Sequence, residues 1–165
     1  MGFGCQKYCI PTWALITFNT FFFRWKKVAL LGIFFLLPML SFAQSDVDAA
    51  ISKTVQLYFD GMVARDSAKL EAAFFPQARL IGYRGDVLVV TPLAEWIQST
   101  AMGAPREPSQ YRNELKSIRR VGKMAFVEAE LNWPTRYYYD YLTLLEVAGV
   151  WKIVHKSWHE RSLDN

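Results

Sequence analysis

The sequence predicts an α+β domain in which N-terminal helices pack against a curved antiparallel sheet. Residues 47–64 carry apolar side chains at helical spacing, and from Tyr111 to His159 the chain is almost continuous β-prone sequence. No strand-helix-strand alternation is visible, so a parallel sheet has no support. With 165 residues, of which the first 43 differ sharply in composition from the rest, there is material for one domain.

Val47, Ile51, Val55, Tyr58 and Met62 recur at steps of three and four, one apolar stripe of an amphipathic helix that Ser45-Asp46 can cap. Such a stripe is first a packing face, which places Tyr58 and Phe59 in the core. Arg65-Asp66-Ser67 ends this helix, and Asp66 can cap a short second one running through Leu70 and Phe74 until Pro76 stops it. Two short strands, residues 78–83 and 87–90, flank the turn Arg84-Gly85-Asp86. Thr91-Pro92 then offers an N-cap and a proline at the first position of a third helix through Leu93, Trp96 and Ile97. The aperiodic stretch Gly103-Ala-Pro-Arg-Glu-Pro-Ser is a loop, expected near the mouth of any pocket.

Four strands follow: Arg112 to Val121, Met124 to Trp133, Arg136 to Val147 and Val150 to His159. A two-residue loop at Ala148-Gly149 pairs Val147 with Val150, and regular counting outward sets Leu144 opposite Ile153, Leu142 opposite His155, Asp140 opposite Ser157 and Tyr138 opposite His159. One face then holds Trp151, Ile153, Leu142 and Leu144, followed by His155, Asp140, Tyr138 and His159, with Ala125, Val127, Ala129 and Leu131 beside them. An inward face that is apolar at one end and polar at the other describes a pocket lining. It equally describes Asp140 and His155 satisfying each other at the open end of a sheet. The outer face would collect Tyr137, Tyr139, Tyr141, Phe126, Val154 and Trp158 with Glu128, Glu130, Lys152 and Lys156. That is aromatic enough to mark an interface, or else a tyrosine shield over the sheet.

Residues 1–43 contain no Asp or Glu. Arg24, Lys26 and Lys27 precede an apolar run from Val28 to Leu37, then Pro38 and Ser41-Phe42-Ala43, the pattern of an export signal cleaved after Ala43. The 23 residues ahead of Arg24 are long for such a signal: either the start lies further downstream, or the segment stays and anchors the chain through residues 28–42. The apolar run falls short of the ~20 residues a spanning helix needs, which favours cleavage and a secreted or periplasmic domain over residues 44–165. Of the 19 Lys and Arg, Lys7, Arg24, Lys26 and Lys27 lie in the leader, so the remainder balances the 15 Asp and Glu. A neutral domain excludes a nucleic-acid partner on charge grounds. Both cysteines, Cys5 and Cys9, are in the leader, leaving no thiol chemistry for the domain. His155 and His159 lack a third ligand, so no metal or other cofactor is expected.

The order of elements, with Val55-Gln-Leu-Tyr-Phe-Asp-Gly, Ala72-Ala-Phe-Phe-Pro-Gln-Ala-Arg-Leu, Asp140-Tyr-Leu-Thr-Leu-Leu and Gly149-Val-Trp-Lys-Ile-Val-His-Lys-Ser-Trp-His, resembles the nuclear-transport-factor-2-like (NTF2-like, or cystatin-like) superfamily. Within it the group of "putative lumazine-binding" and SnoaL-like proteins is most similar, over about residues 47–159. The resemblance implies a cone: a strongly bent antiparallel sheet closed by the helices around a cavity, often dimerising through the sheet. Some members are acid–base enzymes and others bind a ligand. Tyr58 stands on the first helix, where ketosteroid isomerase has its oxyanion-hole tyrosine, but Phe74-Phe-Pro-Gln-Ala holds no aspartate for that enzyme's general base.

The expectation is therefore an exported, homodimeric domain binding a small hydrophobic or aromatic ligand among Tyr58, Trp133, Tyr138, Asp140, Leu142, Trp151, His155 and His159. The alternative is a SnoaL-like enzyme with His155 as acid or base, oriented by Asp140. Membrane contact is expected only if the leader is retained.

Overall fold

The computed structural model describes residues 46–163. The expected leader, its cleavage site and the alternative anchor at residues 28–42 lie outside them.

Helix α1 (46–64) buries the predicted stripe: Ile51, Val55 and Tyr58 are fully enclosed and Met62 nearly so. It ends with Arg65 in the left-handed region (φ 56°) and the Asp66 amide donating to the Gly61 carbonyl at 2.9 Å, a six-to-one closure of the last turn. Asp66 then caps α2 (Ser67–Ala73) by accepting from the Lys69 amide at 3.1 Å, as expected. This helix stops short of Phe74. Strand β1 (Phe74–Arg84) begins there, four residues earlier than predicted and with Pro76 inside it, because Phe74 pairs with Ile153 and its ring enters the core. A short turn leads to β2 (Val87–Pro92), whose final proline occupies the N-cap of α3 (Leu93–Thr100), one position before its predicted place. Residues 101–111 form the loop, with one 3-10 turn at Pro108–Gln110.

Strands β3 (Arg112–Val121), β4 (Met124–Asn132), β5 (Arg136–Val147) and β6 (Val150–Ser162) make the meander. The sheet order is β2-β1-β6-β5-β4-β3, mostly antiparallel as expected, with β1 and β6 side by side in parallel. Ala148 and Gly149 both have positive φ, the two-residue turn that matches strand twist. Across it Val147 pairs with Val150 and Leu144 with Ile153, as counted. Beyond Ile153 the register changes. Thr143 pairs with His155, Leu142 with Lys156, Asp140 with Trp158 and Tyr138 with Glu160, so Val154 is an extra residue in β6, a bulge. A second bulge interrupts β3 between Leu115 and Ser117. Bulges bend a strand, and together with α1 packed on the concave side they give the curved sheet its hollow.

Candidate functional site

The bulge at Val154 decides what faces the hollow. In a period-two strand one extra residue exchanges the two faces. Lys156, Trp158 and Glu160 therefore turn inward, and His155, Ser157 and His159 turn outward. His155 is half-buried and His159 exposed, on the face opposite Asp140, so neither lines the cavity and the expected His155–Asp140 pair does not form. Trp158 and Lys156, expected outside, are corrected with them.

In place of that pair the interior holds Tyr58 of α1, Asp140 of β5 and Lys156 of β6. The Tyr58 hydroxyl donates to Asp140 Oδ2 at 2.5 Å, and the Lys156 ammonium lies 3.0 Å from the same oxygen while donating to the Tyr58 hydroxyl. Asp140 is wholly buried and Lys156 6% exposed, which for a lysine requires a partner. The ammonium also sits over three ring faces, Tyr58 at 4.8 Å, Trp96 at 5.4 Å and Trp158 at 5.7 Å. Burial, and then the Asp140 carboxylate, pushes the Tyr58 phenol well above its ordinary value, so Tyr58 remains a donor. Asp140 Oδ1 has no hydrogen-bond partner.

Above this floor opens a cavity of about 270 Å³. Its wall is aromatic, with Trp96 from α3, Trp158 from β6, Tyr138 from β5 and Trp133 from the β4–β5 turn. Trp133 is fixed by its indole N–H donating to Asn113 Oδ1 at 2.9 Å and by edge contacts with Tyr111 at 5.1 Å and Tyr138 at 5.2 Å. Charged groups stand around it: Lys156 below, and Arg84, Arg106 and Glu160 at the side. Glu160 accepts from Arg136 and has Arg84 at 4.0 Å. Arg106 comes from the loop that the sequence placed at the mouth. It donates to the Met62 carbonyl at the end of α1 and lies 4.9 Å over the Trp133 ring.

Of the other expected residues, Trp133 and Tyr138 line the cavity, whereas Tyr58 and Asp140 are fully buried beneath Lys156 and do not reach it. Leu142 and Trp151 belong to the packed core, Trp151 taking the Thr54 hydroxyl on its carbonyl at 3.0 Å. The sequence reading missed Lys156, Trp158, Glu160, Trp96 and Arg106. One clue was available: an inward Asp140 needs a cation, and Lys156 lies one residue from the position regular counting turned inward. A larger, more open groove of about 660 Å³ runs between α2, β1 and α3, but its lining is apolar apart from Glu71 and a few neutral polar side chains. Among the described residues no group of three or more His, Cys, Asp or Glu could hold a metal.

Residues 46–159 match the family described as "Putative lumazine-binding". The chain belongs to that family. Solved structures similar to this lumazine-binding-family chain include an NTF2-like protein of unknown function from Silicibacter pomeroyi, 27% identical with a TM-score of 0.66, over 72% of this chain and 98% of that one. Another, from Methylobacillus flagellatus, is 26% identical with a TM-score of 0.63, over 71% and 93%. A third, from Shewanella baltica, is 24% identical with a TM-score of 0.65, over 71% and 95%, and shares the fold. No curated protein matches. The family fold supplies the curved sheet and the helices across it. In this chain the hollow carries indole and phenol rings and charged groups.

Proposed function

We propose that this domain is an exported, homodimeric binding protein for a small planar aromatic molecule of about pteridine size, held in the hollow between α1, α3 and the sheet. One observation carries the reading: a cavity of about 270 Å³ whose wall presents Trp96, Trp133 and Trp158 with a few convergent polar groups. Flat aromatic ligands gain from stacking on such rings, and pockets of this composition are the usual small-molecule sites. The family description supports the same class. The leader's basic start, apolar run and small residues before Gln44 support export. The Phe126 and Tyr141 rings, stacked at 5.3 Å and 37% and 43% exposed on the outer sheet face, support a dimer.

The acid–base alternative loses His155, since no imidazole faces the cavity. Lys156, Glu160 and the Tyr138 phenol are the groups left to move a proton there; the first two are each held by an opposite charge, and burial raises the phenol above its ordinary value.

The test is titration of the full chain with lumazine while following tryptophan emission. Saturable quenching that Trp133→Ala weakens at least about tenfold supports the proposal. Emission that does not respond, together with native mass spectra of protein from its own host that show no retained organic mass, would overturn it.

A further inference from the structure

The cavity's charges are unevenly compensated. Lys156 is neutralised by Asp140, and Glu160 is shared by Arg136 and Arg84. Arg106 is different. Among the described residues no carboxylate forms an ion pair with it, and the charged group that acts on it most is another cation, Arg65. Burial and that arginine both lower its pKa, the mark of a guanidinium whose charge is not balanced. The Met62 carbonyl and the negative end of α1 offset part of the charge and hold the group in place. The Tyr111 side chain takes a further hydrogen bond from it, and together these contacts leave part of its five-donor fork unused. The guanidinium lies over the Trp133 ring at 4.9 Å and the Tyr111 ring at 5.7 Å, and Trp133 is itself held by Asn113. A planar cation without a counter-ion, fixed against an indole at the side of a small aromatic cavity, is complementary to a flat anion whose ring lies on the indoles while its acidic edge meets the fork.

We infer that the cavity selects an acidic aromatic ligand, an aromatic carboxylate or an equally flat anionic heterocycle, and that Arg106 is the residue that reads its charge. This rests on the binding function proposed above and narrows it from a shape to a charge.

The full chain is titrated with 2-naphthoate and with 2-naphthamide, which share a shape and differ in charge. Naphthoate is expected to bind at least about tenfold more tightly, with the advantage shrinking as salt is added. Arg106→Gln is expected to bring the ratio of naphthoate to naphthamide affinity down to about one, whatever it costs naphthamide. Because Arg106 also ties its loop to α1, Glu160→Gln provides an independent variant. Taking a negative charge off the cavity wall should raise the ratio of naphthoate to naphthamide affinity severalfold. Equal affinities for the two probes, a naphthoate preference that survives Arg106→Gln, or a Glu160→Gln effect shared by both probes would overturn the inference while leaving an aromatic binding cavity. If neither probe binds while lumazine still quenches, the inference alone falls; if lumazine also fails to quench, the binding function falls with it.

Discussion

Asp140 is the residue on which the interior turns. A carboxylate with no exposure is strongly unfavourable unless it is paired, and Lys156 and Tyr58 supply that pairing through a single oxygen. Removing one partner should therefore cost more than removing both. Lys156→Met is expected to lower unfolding free energy in urea by about 3–5 kcal/mol, and Asp140→Asn/Lys156→Met to recover much of it. The raised Tyr58 pKa carries a sign of its own. Because the folded state holds this proton more tightly than the unfolded chain, its contribution is complete below the ordinary phenol value of about 10 and is lost as pH rises beyond it. Urea midpoints of the wild type should fall above about pH 10 more steeply than those of Tyr58→Phe. Gly82 is decided by contact: a Cβ there would stand 2.3 Å from the Trp158 ring. Gly82→Ala should cost about 1–3 kcal/mol and shift tryptophan emission as the ring moves.

Strand β6 does what no single side chain could. Up to Ile153 it alternates as a regular strand, and after Val154 it alternates again with the faces exchanged. Deleting Val154 removes the extra residue yet leaves Lys156, Trp158 and Glu160 inward, so that variant should still melt cooperatively. Deleting Ser157 leaves Lys156 in place and turns Trp158 and Glu160 to the outer face, replacing cavity wall with His159. It should lose the cooperative transition in circular dichroism. If the two deletions behave alike, the bulge is not what sets the lining. β1 shows a second way an element escapes local reading. Pro76 reads as a helix stop ahead of a strand from residue 78, but the strand already includes it and is held by β6, far away in sequence.

For the molecule as a whole, the positive charge lies in the first 43 residues, and the described domain is close to neutral. An exported chain cleaved after Ala43 would begin at Gln44, which an intact mass from the native host checks directly; a mass that includes the leader would overturn export by cleavage. On the outer face Tyr137 donates to Glu130 at 2.9 Å and Tyr139 to Glu128 at 3.3 Å, so these phenols are anchored, while Tyr141 and Phe126 stay exposed. A dimer built there should sediment as a monomer after Tyr141→Glu, with the melting temperature of the domain little changed at low protein concentration.

Helix α1, its Asp66-capped successor, the β3–β6 meander and the two-residue turn at Ala148-Gly149 were legible in the chain. Each depends on neighbours within a few residues: a 3.6-residue stripe, a capping aspartate, a glycine at positive φ. The inward faces of β4 and β5, with Asp140 among them, were legible for the same reason. The site was legible only in part, Trp133, Tyr138, Asp140 and Tyr58 but not Lys156, Trp158 or Arg106. A bulge leaves no trace in composition. Whether Val154 is paired or extra is settled by the packing of Lys156 on Asp140 and of Trp158 on Gly82, contacts between residues far apart in the chain. Long-range burial, not local propensity, chose which side of β6 meets the cavity.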